Sequence, residues 1–296
     1  MAPLSSATST LLSPRGVVAS PFDERSYAGF TLPNGIRVLV VRDQHTKLAS
    51  AALTVGVGAA KDPMELPGLA HFTEHMSMQG SAAYPEDNAY KKFINKHGGK
   101  SNAATSMEHT TYKFQVADTA PEHEALLGTL DIFSSFFSKP LFNPDFVSRE
   151  VKAIDAEDSK NRINDERRLL QVLRSITNPE CSFSKYSTGS FQTLWEIPAQ
   201  AKPPLAVHEA MREFHRQHYT PGQMGLVVVA NASLVAMEGW VRDRFTEVGS
   251  TQRQSAEEGQ EEHHQSQAEP SGPGAKDAPA WVVPGSTPRL VQWRGP

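Results

Sequence analysis

Apolar and polar residues alternate through Phe30 and Leu32, then again through Ile36, Val38 and Val40, on either side of Pro33-Asn34-Gly35. An Asn-Gly step between two alternating runs predicts a β-hairpin. Residues 47–56 alternate again and give a third strand, which leads through Asp62-Pro63 and Pro67-Gly68 into a helix. The period then lengthens. Residues 86–97 put Tyr90, Phe93 and Ile94 on one side of a helix that Gly98-Gly99 ends, and residues 110–116 return to a strand. Residues 121–137 turn Leu126, Leu127, Leu130 and Phe133 to one helical face before Lys139-Pro140. Asn143-Pro144-Asp145 supplies an N-cap, a first-turn proline and a first-turn acid for one long helix through about Ile176. A helix over residues 206–218, a buried strand over 225–230 and a helix over 234–245 complete the pattern. Strands mixed with helices outside a strict βαβ rhythm predict an α+β fold, helices packed on a mixed or antiparallel sheet.

The pattern stops after Val248. Residues 250–275 are Gln, Glu, Ser, Gly and Pro without an aromatic residue, so they bury too little to offset the entropy of ordering. The segment 250–296 is therefore expected to be a polar tail or linker, with residues 281–296 a docking segment or the start of a further domain. Residues 1–20, rich in Ser, Thr and Ala with Arg15 as the one basic residue, read as a flexible leader. The expected folded unit is residues 21–249.

A net charge of −4 over 296 residues gives no electrostatic footprint for nucleic acid. No apolar run approaches the roughly 18 residues that a membrane span requires. Cys181 is the only cysteine, which excludes an intrachain disulfide and fits a reducing compartment, the cytoplasm, with a mitochondrial address the alternative.

Against this background one cluster carries chemistry. His71-Phe72-Thr73-Glu74-His75 is an HxxEH motif, and at about 100° per residue its three ligand-bearing side chains share a third of the helix circumference. Two imidazoles can bind one Zn²⁺ while the carboxylate takes a proton from water, which suits metal-assisted hydrolysis; packing or capping is the plain alternative. A third ligand has to come from elsewhere. Glu150 and Glu157 lie seven residues apart, two helical turns, on a face otherwise made by Ala153 and Ile154. A cation would account for acids on an apolar stripe. A solvated face paired through Asp155, Asp158, Lys160 and Arg162 is the competing account.

The blocks at residues 30–41 (FTLPNGIRVLVV), 68–85 (GLAHFTEHMSMQGSAAYP), 101–111 (SNAATSMEHTT), 149–157 and 183–189 (FSKYSTG) are similar to those of the inverted-motif zinc metallopeptidases. This is the insulysin, nardilysin and pitrilysin family, and the resemblance, strongest to the insulysin-type N-terminal domain, runs from about Ser26 to Val248. It implies a zinc metalloendopeptidase domain in which His71, His75 and Glu157 hold one Zn²⁺ ion and Glu74 is the general base. It implies that Glu150 supports the ligands and that Ser101, Asn102 and Ala103 form an edge pairing with the backbone of a peptide substrate. About five extra residues fall around 117–122, in a strand-to-helix connection. The family encloses substrates between two halves, so a second metallopeptidase half or homologous subunit is the expected partner.

Other polar clusters are expected to be structural. His208, His215 and His218 share a helix without a matching acid, His109 is expected to pack beside the strand, and Glu261-Glu262-His263-His264 reads as a solvated run. Arg162, Arg167, Arg168 and Arg174 read as the wet side of the long helix, with contact to an acidic substrate or partner the alternative. Two rival functions remain: a catalytically silent interaction module on the same fold, and a zinc hydrolase of small amides or thioethers, which would have a closed pocket and no peptide-pairing edge.

Overall fold

A computed structural model describes residues 20–119 and 122–249. The expectations for residues 1–19 and 250–296 lie outside the described residues. Six strands form one sheet: β1 (Ser26–Thr31), β2 (Arg37–Arg42), β3 (Leu48–Val55), β4 (Lys100–Thr105), β5 (Thr110–Ala117) and β6 (Met224–Ala230). The helices are α1 (Leu69–Ser77), α2 (Ala89–Lys96), α3 (Glu124–Ser138), α4 (Val147–Arg162), α5 (Asp165–Ile176), α6 (Ile197–Gln200), α7 (Val207–His218) and α8 (Leu234–Phe245). This is the α+β architecture that the periodicity predicts.

The sheet order is β1-β2-β6-β3-β5-β4. Every neighbouring pair is antiparallel except β2 and β6, which run parallel, so the sheet is mixed. Strict alternation decides which face is covered. Tyr112, Phe114 and Val116 of β5 are buried under helices while Lys113 and Gln115 point to the open face. Phe133 of α3 is a hub of that core, its ring 5.2 Å from Phe114, 5.3 Å from Phe137 and 6.5 Å from Tyr90 and Phe245.

Two elements depart from the periodic reading. The long helix is broken: α4 ends at Arg162, and the Asn164 side chain accepts from the Arg167 N–H to cap α5. The carboxylates of Asp165 and Glu166 then sit in the new first turn, where the helix dipole favours them. Strand β4 is the second, since its Lys-Ser-Asn-Ala-Ala-Thr sequence carries no apolar alternation. It forms because β5 offers it a complete antiparallel register, Lys100 opposite Gln115 through Thr105 opposite Thr110. At the start of α4 the expected cap holds, with the Asn143 side chain accepting from the Asp145 N–H, but the turn it caps is 3₁₀, Pro144–Phe146, running into α4. The acids of α4 are not all solvated: Asp158 is buried and accepts from Arg162 and the Tyr186 hydroxyl, and Asp155 accepts from the Phe191 N–H.

The helix carrying the HxxEH motif is fixed at its N-terminus from a distance. Its N-cap, Gly68, has no side chain to offer, and the buried Asp62 carboxylate accepts from the Gly68 and Ala70 N–H groups at 2.8 Å each. Burial pushes this carboxyl up to about 7 against the pull of those two donors. Gly68 sits at φ +96, and a Cβ there would lie 2.3 Å from the Gly189 Cα. Two backbones thus touch where no side chain fits.

Gly68→Ala is expected to cost about 3 kcal/mol or more, since both the left-handed backbone and the contact with Gly189 are lost. Gly222→Ala, where an added Cβ meets nothing within 4 Å, should change stability by less than about 0.5 kcal/mol. Urea unfolding of the two variants checks the contrast.

His215 of α7 gives a pH signature. It is 7% exposed, packs against Phe142 and Tyr219, and its Nε2 has no partner. Burial pushes its pKa from 6.5 down to about 3. The unfolded chain therefore takes the proton first, and stability present above pH 6.5 is lost as pH falls toward 3. At pH 5 the loss from this group is expected to be about 2 kcal/mol. His215→Phe should flatten the wild-type decline between pH 8 and pH 5 by that amount in urea titrations.

Candidate metal centre

Helix α1 packs against α7, α4 and β4, so its motif faces the joint between the helical layer and the sheet edge. His71 and His75, one turn apart, present their rings edge to face at 4.8 Å. One ligand atom from each of His71, Glu74 and His75 lies within 4.8 Å of the others. Glu157 joins them from α4: its Oε2 is 3.4 Å from His71 Nε2 and its Oε1 is 3.7 Å from His75 Nε2.

Each imidazole is held through its other nitrogen. His71 Nδ1 is 2.7 Å from the Thr188 carbonyl, and His75 Nδ1 is 3.1 Å from Glu150 Oε2. A carbonyl oxygen only accepts, so His71 carries a proton on Nδ1, and Nε2 is the nitrogen that faces Glu157. Glu150, buried, is fixed in turn by Arg149 Nε at 3.0 Å. Arg149 is itself anchored to Asp87 and Gln79 and stacked 4.2 Å over the Phe146 ring.

Thus Glu150 touches one histidine ring on its outer nitrogen, while Glu157 faces both inner nitrogens. The sequence spacing left open which acid does which.

The carboxyls are pulled apart electrostatically. Hydrogen bonding from His71 holds Glu157 below the usual carboxylate range. For Glu150, burial works upward, but the bonds from His75 and Arg149 outweigh it and lower the pKa. Glu74 goes the other way because burial dominates, although the Thr105 hydroxyl donates to its Oε2 at 2.5 Å. For His71, burial works downward and is overcome by Glu157, Glu74 and the Thr188 carbonyl, leaving its pKa raised.

The centre opens into a cleft of about 900 Å³. Ser101, Asn102 and Ala103 of β4 line it together with Ala104 and Thr105. β4 is an edge of the sheet, paired on one side by β5. His208 does not join the centre, its Nε2 lying 2.6 Å from the Phe142 carbonyl, and His109 is exposed. Sequence reasoning missed Asp62, Thr105 and Thr188. The last two stand inside conspicuous blocks, SNAATS and KYSTG, but only the fold shows that one grips Glu74 and the other His71.

A family model described as insulinase, peptidase family M16, matches residues 37–180, and one described as peptidase M16 inactive domain matches residues 206–287. The insulin-degrading enzyme of Mus musculus is 42% identical over 232 residues, covering 78% of this chain and 22% of that protein. The crystal structure of pitrilysin superposes with a TM-score of 0.73 at 32% identity, covering 78% of this chain and 24% of that one. The first half of the periplasmic protease PqqL from Escherichia coli shares the fold, with a TM-score of 0.63 at 21% identity over 78% of this chain and 48% of that one. The chain thus spans less than a quarter of the length of the curated relatives it matches. With the HxxEH helix, the mixed sheet and the matches in agreement, the chain belongs to the insulinase family of peptidases, family M16.

Proposed function

We propose that this chain is the metal-binding domain of a zinc metalloendopeptidase, with His71, His75 and Glu157 holding one zinc ion and Glu74 acting as general base. One observation carries the reading: two imidazole nitrogens, each turned inward by a partner on the opposite nitrogen, converge on the two oxygens of one carboxylate at 3.4 and 3.7 Å. The charge of that carboxylate favours a cation between it and the two nitrogens, a need that a proton or a metal ion meets. A donor set of two imidazoles and a carboxylate, with outer partners fixing the rings, fits zinc. When bound, zinc supplies a Lewis acid that brings a water's pKa near neutrality and polarises a carbonyl.

The chain's own residues supply the rest. Glu74, buried and steered by Thr105, takes the proton of the attacking water and returns it to the leaving amine. Its raised pKa suits a group that must hold a proton briefly near neutrality. Glu150 keeps the His75 ring oriented. The free edge of β4 at Ser101, Asn102 and Ala103 pairs with an extended peptide by main-chain hydrogen bonds, which position the scissile bond without demanding one side chain.

A second half of the enzyme, or a homologous subunit, is proposed to close the cleft. The likeness to one half of a protease chain supports that partner. The single cysteine supports a reducing compartment such as the cytoplasm. Among the described residues no helix is long and apolar enough to cross a membrane.

His71→Ala, His75→Ala and Glu157→Gln should each lose zinc on dialysis, read by elemental analysis, whereas Glu74→Gln should keep it. Glu150→Gln should weaken zinc about 10- to 100-fold, the range for a partner of a ligand. Full zinc affinity in Glu157→Gln would remove that residue from the ligand set. With a second half added, zinc-loaded chain should cleave a quenched fluorescent peptide well above its rate alone, and Glu74→Gln should abolish cleavage. Equal turnover with and without the partner would refute the two-half reading.

A further inference from the structure

The four arginines around α5 do not behave as one solvated face. Two are neutralised: Arg162 Nε donates to Asp158 at 2.6 Å, and Arg168 lies 3.5 Å from Asp165. Two are not. Among the described residues no carboxylate lies within 4.0 Å of Arg167 or Arg174. Arg167 is exposed, but Arg174 is only 9% exposed. Its Nη1 donates to the Ser187 hydroxyl at 2.8 Å, its Nη2 faces the Met107 sulfur at 3.4 Å, and its Nε has no partner. The Phe183 ring, 5.6 Å from its Cζ, offers only a weak cation–π contact. Burial and the charge of Arg167 both push its pKa down, with no acid acting in the opposite direction.

A guanidinium withdrawn from water without a counter-charge is destabilising unless something compensates it. The surroundings are arranged to receive that something. A recess of about 520 Å³ is lined by all four arginines and by one carboxylate, Asp158, which Arg162 already pairs, so Arg167 and Arg174 are left facing Gln171, Ser187 and Thr188. It adjoins the metal cleft, sharing Asn161, Arg167, Ser187 and Thr188 with it.

We propose that this recess is an oxyanion site, in which Arg167 and Arg174 take a carboxylate or phosphate group. The planar forks of two arginines suit both, because each group offers paired oxygens for bidentate hydrogen bonds. The carboxylate would come from an acidic side chain of a peptide lying in the cleft, an arm that rests on the peptidase reading. The phosphate would be a free anion, an arm that does not. Either occupant sits beside Thr188, whose carbonyl holds the His71 ring.

The test titrates the full chain with inorganic pyrophosphate at constant ionic strength. In parallel it measures binding of two labelled peptides, identical except for one Glu→Gln exchange, to the zinc-retaining Glu74→Gln background. Arg167→Gln and Arg174→Gln are compared with the parent protein in both assays, with zinc content read on every sample. At least tenfold weaker pyrophosphate binding in both variants supports a free-anion occupant. A tenfold preference for the Glu peptide that disappears in both supports a substrate side chain. Should Arg174→Gln fail to fold by circular dichroism, the exposed Arg167→Gln decides alone. Affinities within twofold of the parent for both probes overturn the inference. If zinc is retained in that case, the metal reading stands while the oxyanion inference fails.

Discussion

The contact on which the candidate metal centre depends is between two glycines. Gly68 starts the HxxEH helix and Gly189 follows Thr188, and their backbones meet where a single added carbon would lie 2.3 Å from the Gly189 Cα. Only that approach brings the Thr188 carbonyl to 2.7 Å from His71 Nδ1. The neighbouring contacts tighten the same joint. Asp62 caps α1, Lys185 Nζ donates to the carbonyls of Ala60 and Asp62, and Tyr186 bonds Asp158 and the Gly189 carbonyl. The loop thus grips α1 on one side and α4 on the other, and these helices bring the histidines and Glu157 together.

Three carboxyls meet in this joint, and their surroundings assign them different electrostatic characters. Glu150 and Glu157 are held ionised by the imidazoles and, for Glu150, by Arg149. Glu74, with burial outweighing its one hydroxyl donor, favours its protonated form more than an ordinary carboxyl. Groups of one chemical kind whose pKa values are driven apart are the usual mark of separate ligand and acid–base roles. A divalent ion would reverse part of this balance, lowering every carboxyl around it.

Much of this was legible in the sequence because period and spacing are local. The hairpin about Asn34-Gly35, the inward face of α3 and the seven-residue step from Glu150 to Glu157 each follow from helix or strand geometry. The break after Arg162 was readable too, since Asn164 with Asp165 and Glu166 is a helix start, but the continuous polar pattern on both sides concealed it. β4 was visible as a peptide-pairing edge through the family resemblance, and not through periodicity, because small polar residues give no alternation. Asp62, Thr188 and Arg174 owe their places to contacts across long stretches of chain. Arg174 in particular looks like any wet helix arginine until Phe183, Ser187 and Met107 close around it.

Strand β6, parallel to β2 and antiparallel to β3, lies between two strands that precede it by more than 160 residues. Before residues 224–230 are available, β1-β2 and β3-β5-β4 are two separate ribbons with no hydrogen bonds between them. The helix bearing His71 follows β3 on one ribbon, and its closest helical neighbour, α7, lies just before β6 in the chain. During synthesis the ribosome therefore emits both histidines, Glu74 and Glu157 long before the strand that joins the sheet. Closing so large a loop is slow, so in the nascent chain the candidate metal ligands are present well before the complete scaffold that holds them.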